Sequence, residues 1–204
     1  IAERQLIKDS SYIYGLRQLH LHLLLPFPEL ETPRLKLRAL TAADVAVIFQ
    51  LYSDTQIMKY RGAPLFKSPE DAVFLLKQWE QTNAGQQGVR WGIELKSTKQ
   101  LIGTAGFKQI TANNFRAELG YELLPVCWRQ GLMTEALKTI TAWGIKELGL
   151  HTIEANISPD NLPSKRVLEK LKFVSEGLLR ENYYFEGWWD SELFTLHETV
   201  LFQE

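Results

Sequence analysis

Residues 117–137 run Ala-Glu-Leu-Gly-Tyr-Glu-Leu-Leu-Pro-Val-Cys-Trp-Arg-Gln-Gly-Leu-Met-Thr-Glu-Ala-Leu, the pattern of a strand that passes into a helix through one glycine. The strand, Glu118 to Leu124, stops at Pro125, which has no N–H to give a sheet ladder and should end pairing or force a bulge. The neighbouring strand is then expected to splay away, leaving a wedge lined by free backbone groups. Arg129-Gln130-Gly131-Leu132-Met133-Thr134 follows at once. At a helix start the unpaired N–H groups and the dipole favour an anion, Gly131 lets backbone come close to it, and Arg129 adds charge. A wedge beside a phosphate cradle suits a ligand with a pyrophosphate and a long peptide-like arm, and coenzyme A has both. On these residues alone, a merely structural strand–loop–helix turn stays open as the alternative.

Working outward, the helix is expected over about 132–148, with Met133, Leu137, Ile140, Gly144 and Leu148 on one face and Gly149 as its stop. A strand over 151–157, a helix over about 161–171 and two strands, about 173–184 and 188–197, complete the chain. The inward positions of the second helix are Val167, Leu168 and Leu171. Upstream, alternation predicts a strand over 34–40, and Thr41 to Asp44 an N-cap and first helical turn. Ser68-Pro69-Glu70-Asp71 opens a helix to about Asn83, with Val73, Leu76 and Trp79 or Glu80 at helical spacing. Strands over 89–95, 101–110 and 115–124 are joined by short turns and should pair antiparallel. Antiparallel strands first and a strand–helix–strand unit later give an α/β (α+β) fold, a mixed and mostly antiparallel sheet flanked by helices. Three prolines between Pro26 and Pro33 mark a seam. The expected division is therefore an N-terminal extension, 1–30, and one domain, 31–204. The extension is expected to be an accessory helix or strand and a candidate homodimer interface.

Composition narrows the function classes. The chain has 204 residues, 45% hydrophobic and 23% charged, which is the profile of a soluble globular protein. A net charge of -1 offers no footprint for nucleic acid or an anionic membrane. No apolar run is long enough to span a bilayer and no secretory leader pattern opens the chain. The single cysteine, Cys127, rules out an internal disulfide and fits a reducing compartment, so cytoplasm is the expected location. Cys127 reads as a small buried hydrophobe rather than a nucleophile. His20 and His22 lack an acid or cysteine at ligand spacing, so no metal is expected. His151 and His197 read as strand-end residues. Phosphate-binding Gly-x4-Gly-Lys-Ser/Thr and Gly-x-Gly-x-x-Gly runs are both missing from the sequence, which disfavours a nucleotide-binding protein.

The 117–137 run resembles the GNAT family of N-acetyltransferases, specifically its ribosomal-protein (RimJ/RimL-like) branch. That family's pyrophosphate motif has Gln or Arg, two variable residues, Gly, one variable residue, then Gly or Ala. Trp128 to Met133 keeps the central Gly131 and departs at both ends, with Trp128 first and Met133 last. Asn161-Leu162-Pro163-Ser164 is similar to the family's Asn-x-x-Ser helix start, and Lys172 stands at that helix's exit where Gly is usual. Glu31 to Arg38 resembles the branch's opening strand. The likeness covers about residues 31–198. It implies transfer of acetyl from acetyl-CoA to a primary amine (a protein N-terminus, a lysine or a small molecule), without a metal. A CoA-binding sensor or interaction module without catalysis is the alternative.

Such a site must take a proton from the amine, hold an oxyanion and protonate a thiolate. Alternation puts Glu118, Gly120 and Glu122 on one strand face. Glu118 is thus the first candidate for general base, through water, with a plain ion-paired carboxylate as the other reading. Backbone N–H groups at Leu123, Leu124 and Val126 are candidate oxyanion and cofactor contacts. Arg129, Gln130, Gly131, Leu132, Met133 and Thr134 are expected at the pyrophosphate, and Asn161 at the pantetheine or substrate amide. Ser164 could donate to the departing sulfur, or simply serve the helix start. The family's late-strand tyrosine or acid has Tyr183 as its candidate, with Tyr184 and a shifted Glu181 beside it. Tyr60-Arg61 and Arg90-Trp91 are expected to border the acceptor groove.

Overall fold

The computed structural model describes residues 18–201. Residues 1–17, most of the expected accessory element and candidate interface, lie outside the described residues, as do 202–204. Eight strands form one sheet: β1 (Leu30–Glu31), β2 (Leu35–Arg38), β3 (Val89–Leu95), β4 (Gln100–Thr111), β5 (Arg116–Leu123), β6 (Thr152–Ile157), β7 (Val174–Tyr184) and β8 (Trp188–His197). Their spatial order is β1-β2-β3-β4-β5-β6-β8-β7. Every neighbouring pair is antiparallel except β5 with β6.

The helices are α1 (Val45–Ser53), α2 (Thr55–Met58), α3 (Pro69–Ala84), α4 (Leu132–Lys146), α5 (Leu162–Lys170) and α6 (Glu198–Leu201). Two buried clusters result. The larger packs α4 on the sheet through Met133, Leu137 and Ile140 against Trp91, Phe107 and Ile153. The smaller holds α1, α2 and α3 through Ile48, Leu51, Tyr52, Met58, Ala72 and Leu76. At Gly144 α4 lies close on the sheet: a Cβ there would sit 2.6 Å from the Phe107 ring. Gly149 at φ +87 stops the helix as expected, the Leu150 N–H reaching back to the Gly144 carbonyl.

Some expectations shift. On α3 the buried spacing is Ala72–Leu76 rather than Val73–Leu76, and Val73 is exposed. The Ser68 capping box starts that helix as read, with Asp71 closing it. Trp91 is fully buried, edge-on to Phe27, Phe107 and Trp143. It is core and not a groove border, because an aromatic at the middle of a central strand is covered on its own face by α4. The described part of the N-terminal extension joins this core: Leu24 is fully buried and the His20 N–H donates to the Leu148 carbonyl.

The wedge opens earlier than Pro125 would place it. The parallel β5–β6 ladder pairs only Arg116, Ala117 and Glu118 with Thr152, Ile153 and Glu154. At that point the β4–β5 register slips between Phe107 and Gln109, leaving Lys108 as an extra residue. A bulge bends its strand and sharpens its twist, so β5 turns away from β6 at Glu118. Pro125 opens a short 3-10 turn, Pro125–Cys127, beyond the strand.

Candidate active site

Beside the splayed end of β5 lies a cavity of about 800 Å³, bounded by the β5–α4 loop, the start of α5 and the segment after α1. Arg129, Gly131, Leu132, Met133, Thr134, Asn161 and Ser164 all line it, together with Leu123. Leu124, Val126 and Gln130 do not: Leu124 packs into the smaller core, Val126 is exposed, and the Gln130 amide donates to the Val126 carbonyl at 2.8 Å.

The loop is built to approach an anion. Gly131 caps α4 in the left-handed region at φ +76, and Arg129 is left-handed too. The first helical N–H with a partner four residues back is that of Glu135, on the Gly131 carbonyl. The amides of Leu132, Met133 and Thr134 therefore have no acceptor four residues back, the state in which a helix start accepts an anion. Lys59, Arg129, Arg166 and Lys170 line the cavity, against one lining carboxylate, Glu122. The cradle and this charge balance fit a ligand with several phosphates.

Sequence reasoning missed what holds the loop. Arg34, at the start of β2, donates through Nε to Glu135 at 2.6 Å and through Nη1 to the Gln130 carbonyl at 3.0 Å. Glu135 also accepts from the Thr32 hydroxyl and the Arg34 N–H. Burial pushes the Glu135 carboxyl up, but the Thr32 and Arg34 donors outweigh it and hold it below its ordinary range. The partners lie 101 residues apart in the chain, so no local pattern could have announced them.

Across the cavity, Asn161 caps α5 by accepting the Ser164 N–H at 3.2 Å. Ser164 and Tyr121 share a hydrogen bond of 2.6 Å between hydroxyls. Burial pushes the Tyr121 phenol up to about 12, with the Ser164 bond pulling weakly the other way. Tyr121 was not singled out, because its strand face looked purely apolar. The Leu123 carbonyl accepts the Trp128 indole N–H at 2.7 Å. The Leu124 N–H is not available as an oxyanion donor, since the β4–β5 ladder runs one residue past the strand and pairs it with the Ile102 carbonyl at 2.9 Å.

The two acids of β5 part company. Glu118 stands where the wedge opens, ion-paired to Lys108 at 2.7 Å and bonded across to Asn156 of β6 at 3.1 Å; it does not line the cavity. Glu122 does, and is buried among Arg90, Arg61, Tyr52 and Thr104. Tyr60 lines the cavity, while Arg61 reaches it only through Glu122. Tyr183 donates its hydroxyl to the Gly62 carbonyl and is absent from the cavity lining. It therefore pins the β7–β8 hairpin to the segment after α1. Tyr184 is exposed and meets Trp188 edge-on. Cys127 is buried at the cavity wall, where burial raises its thiol, against a nucleophile. His151 and His197 lie at strand ends, paired to Glu198 and near Glu176. No helix among the described residues is long and apolar enough to cross a membrane.

Comparison with known proteins bears on the same region. Residues 34–174 match the model of the acetyltransferase (GNAT) domain. The uncharacterized N-acetyltransferase YoaA of Bacillus subtilis is 39% identical over 161 residues, 79% of this chain and 91% of that protein. The [ribosomal protein uS5]-alanine N-acetyltransferase of Escherichia coli is 32% identical over 98 residues, 48% of this chain and 50% of that one. The crystal structure of a GNAT-family acetyltransferase from Bacillus anthracis superposes with a TM-score of 0.75 at 26% identity, covering 84% of this chain and 99% of that one.

Proposed function

The chain belongs to the GNAT family of N-acetyltransferases, and on that premise we propose that the cavity beside β5 holds acetyl-CoA while an amine attacks its thioester. The observation that carries this reading is the cradle itself: left-handed Gly131, three amides at the α4 start with no acceptor four residues back, and the cationic lining. The pyrophosphate sits on the N–H groups of Leu132, Met133 and Thr134 beside Arg129. The pantetheine follows β5 past Leu123 toward Asn161, whose Oδ1 caps α5.

The amine nitrogen forms its bond to the carbonyl carbon as the carbon–sulfur bond breaks. The amine proton leaves to water, because Glu118 is ion-paired to Lys108 outside the cavity lining. Ser164 donates a hydrogen bond to the departing thiolate, which takes its proton from water, and the 2.6 Å bond to Tyr121 orients the Ser164 hydroxyl. Glu122 is a poor candidate for the base, because two guanidiniums hold its charge. Tyr183 acts as a clamp on the segment after α1, the acceptor segment in this reading, rather than at the thiol, in keeping with its bond to Gly62.

The test is calorimetric titration of acetyl-CoA into the wild type and Gly131→Glu. Micromolar binding, about -8 kcal/mol, is expected for the wild type. It should be lost in the variant, where a side chain in a left-handed position and a negative charge occupy the cradle. Equal affinity in the two proteins would place the pyrophosphate elsewhere.

A further inference from the structure

Glu122 is one negative charge held by two positive ones. Arg90 is buried, and its donors are taken by Thr104, the Gly120 carbonyl and Glu122. The cluster thus carries one surplus positive charge. Arg61 is the member that reaches solvent, its side chain 36% exposed against 5% for Glu122, lying over the Tyr52 ring at 4.8 Å. Two positions earlier on the same segment, Lys59 lines the cavity. The cavity's lining carboxylate is Glu122, already matched, and the other acid of β5, Glu118, is matched to Lys108. Arg129, Arg166 and Lys170 belong to the opposite side, on the β5–α4 loop and α5. An acceptor with only cationic groups would meet like charge here and no free carboxylate, whereas an anionic group would be attracted.

Resting on the transfer reaction above, we propose that the acceptor is an amine that carries a carboxylate near the reacting nitrogen, that Lys59 on the cavity lining reads it, and that Arg61 is a positioning residue that supplies the surplus charge behind it. A free amino acid and the acidic start of a peptide share that chemistry. A polyamine does not. The surplus charge lies behind the acceptor segment, so the preference comes from the folded cluster and not from the near-neutral chain as a whole.

The experiment uses amine pairs that differ by the carboxylate alone: lysine and cadaverine, phenylalanine and phenethylamine, arginine and agmatine. Thiol release is followed at saturating acetyl-CoA. The carboxylate member should have a kcat/KM about tenfold higher, the usual scale for one partly exposed charge contact. Arg61→Gln and Lys59→Glu should bring that ratio toward or below one, and Arg61→Lys should keep most of it. Lys59 is exposed, so Lys59→Glu serves if Arg61→Gln does not fold. A peptide starting Ala-Asp set against Ala-Asn separates a peptide source from a free amino acid. Equal or better turnover of the decarboxylated partners, or a ratio that survives both charge changes, overturns the proposal. So does acetyl-CoA binding with no turnover of either member of any pair. Loss of acetyl-CoA binding itself would instead count against the cofactor site.

Discussion

Replacing Glu122 by Gln keeps the shape of the side chain and removes the charge that lies between Arg90 and Arg61. The side chains of Arg90 and Glu122 are 6% and 5% exposed, so the guanidinium left behind cannot reach water. Burial already pushes the Arg90 guanidinium down to about 10, and Arg61 adds to that push. Breaking a buried ion pair by removing one partner costs about 3–5 kcal/mol. The lower end applies here, because Arg61 can swing into solvent and Gln can still accept from Tyr52 and Thr104. For a chain of this size each kcal/mol moves Tm by roughly 2–4 °C, so about 3 kcal/mol becomes a fall of about 6–12 °C, read by circular dichroism at pH 7. A Tm for Glu122→Gln within about 2 °C of the wild type, a shift of about 1 kcal/mol at most, would refute this account.

Ser164→Ala should lower kcat by about 10- to 100-fold, the scale of one lost hydrogen bond to a charged group, with acetyl-CoA affinity nearly unchanged by calorimetry; a loss confined to affinity would make Ser164 a helix-start residue. Tyr121→Phe should lower kcat by about tenfold through the lost hydroxyl bond. In the wild type the Tyr121 phenol stays neutral well past pH 10. Because its folded value is raised, stability falls as pH rises from the ordinary tyrosine range toward about 12, and Tyr121→Phe should flatten that alkaline slope in Tm. Glu135 has the opposite sign: its carboxyl is held down, so its contribution is present above the ordinary carboxylate range and lost as pH falls through its folded value. Glu135→Gln should therefore lower Tm at pH 7 and shrink the further loss on going to pH 4, and an unchanged acid slope would count against the Arg34 latch.

Local chemistry wrote much of the fold plainly. The Ser68 capping box, the Gly149 stop and the span of β8 stand within a residue or two of where periodicity and caps place them, because hydrogen bonds and side-chain faces of one element depend on its own few residues. Lys172 shows the same legibility in reverse. The family's usual glycine marks a left-handed position, and Lys172 occupies it at φ +68. The bonds Lys172 to Glu169 and Phe173 to Leu168 close the end of α5.

The site was legible in its loop and not in its charges. Gly131 and the α4 start are one contiguous run, so their role could be read before any fold was known. Glu118 and Glu122 share a face by alternation and look equivalent in the chain. What separates them is which elements cover them. The segment after α1 brings Arg61, and β3 brings Arg90, onto Glu122, while the bulge in β4 delivers Lys108 to Glu118 and opens the wedge there. Strand, helix and cradle were decided by neighbours along the chain, whose interactions repeat with a known period. Which carboxylate is buried, where β5 leaves β6 and what latches the loop were decided only in the tertiary structure, because each depends on a contact between residues far apart in sequence.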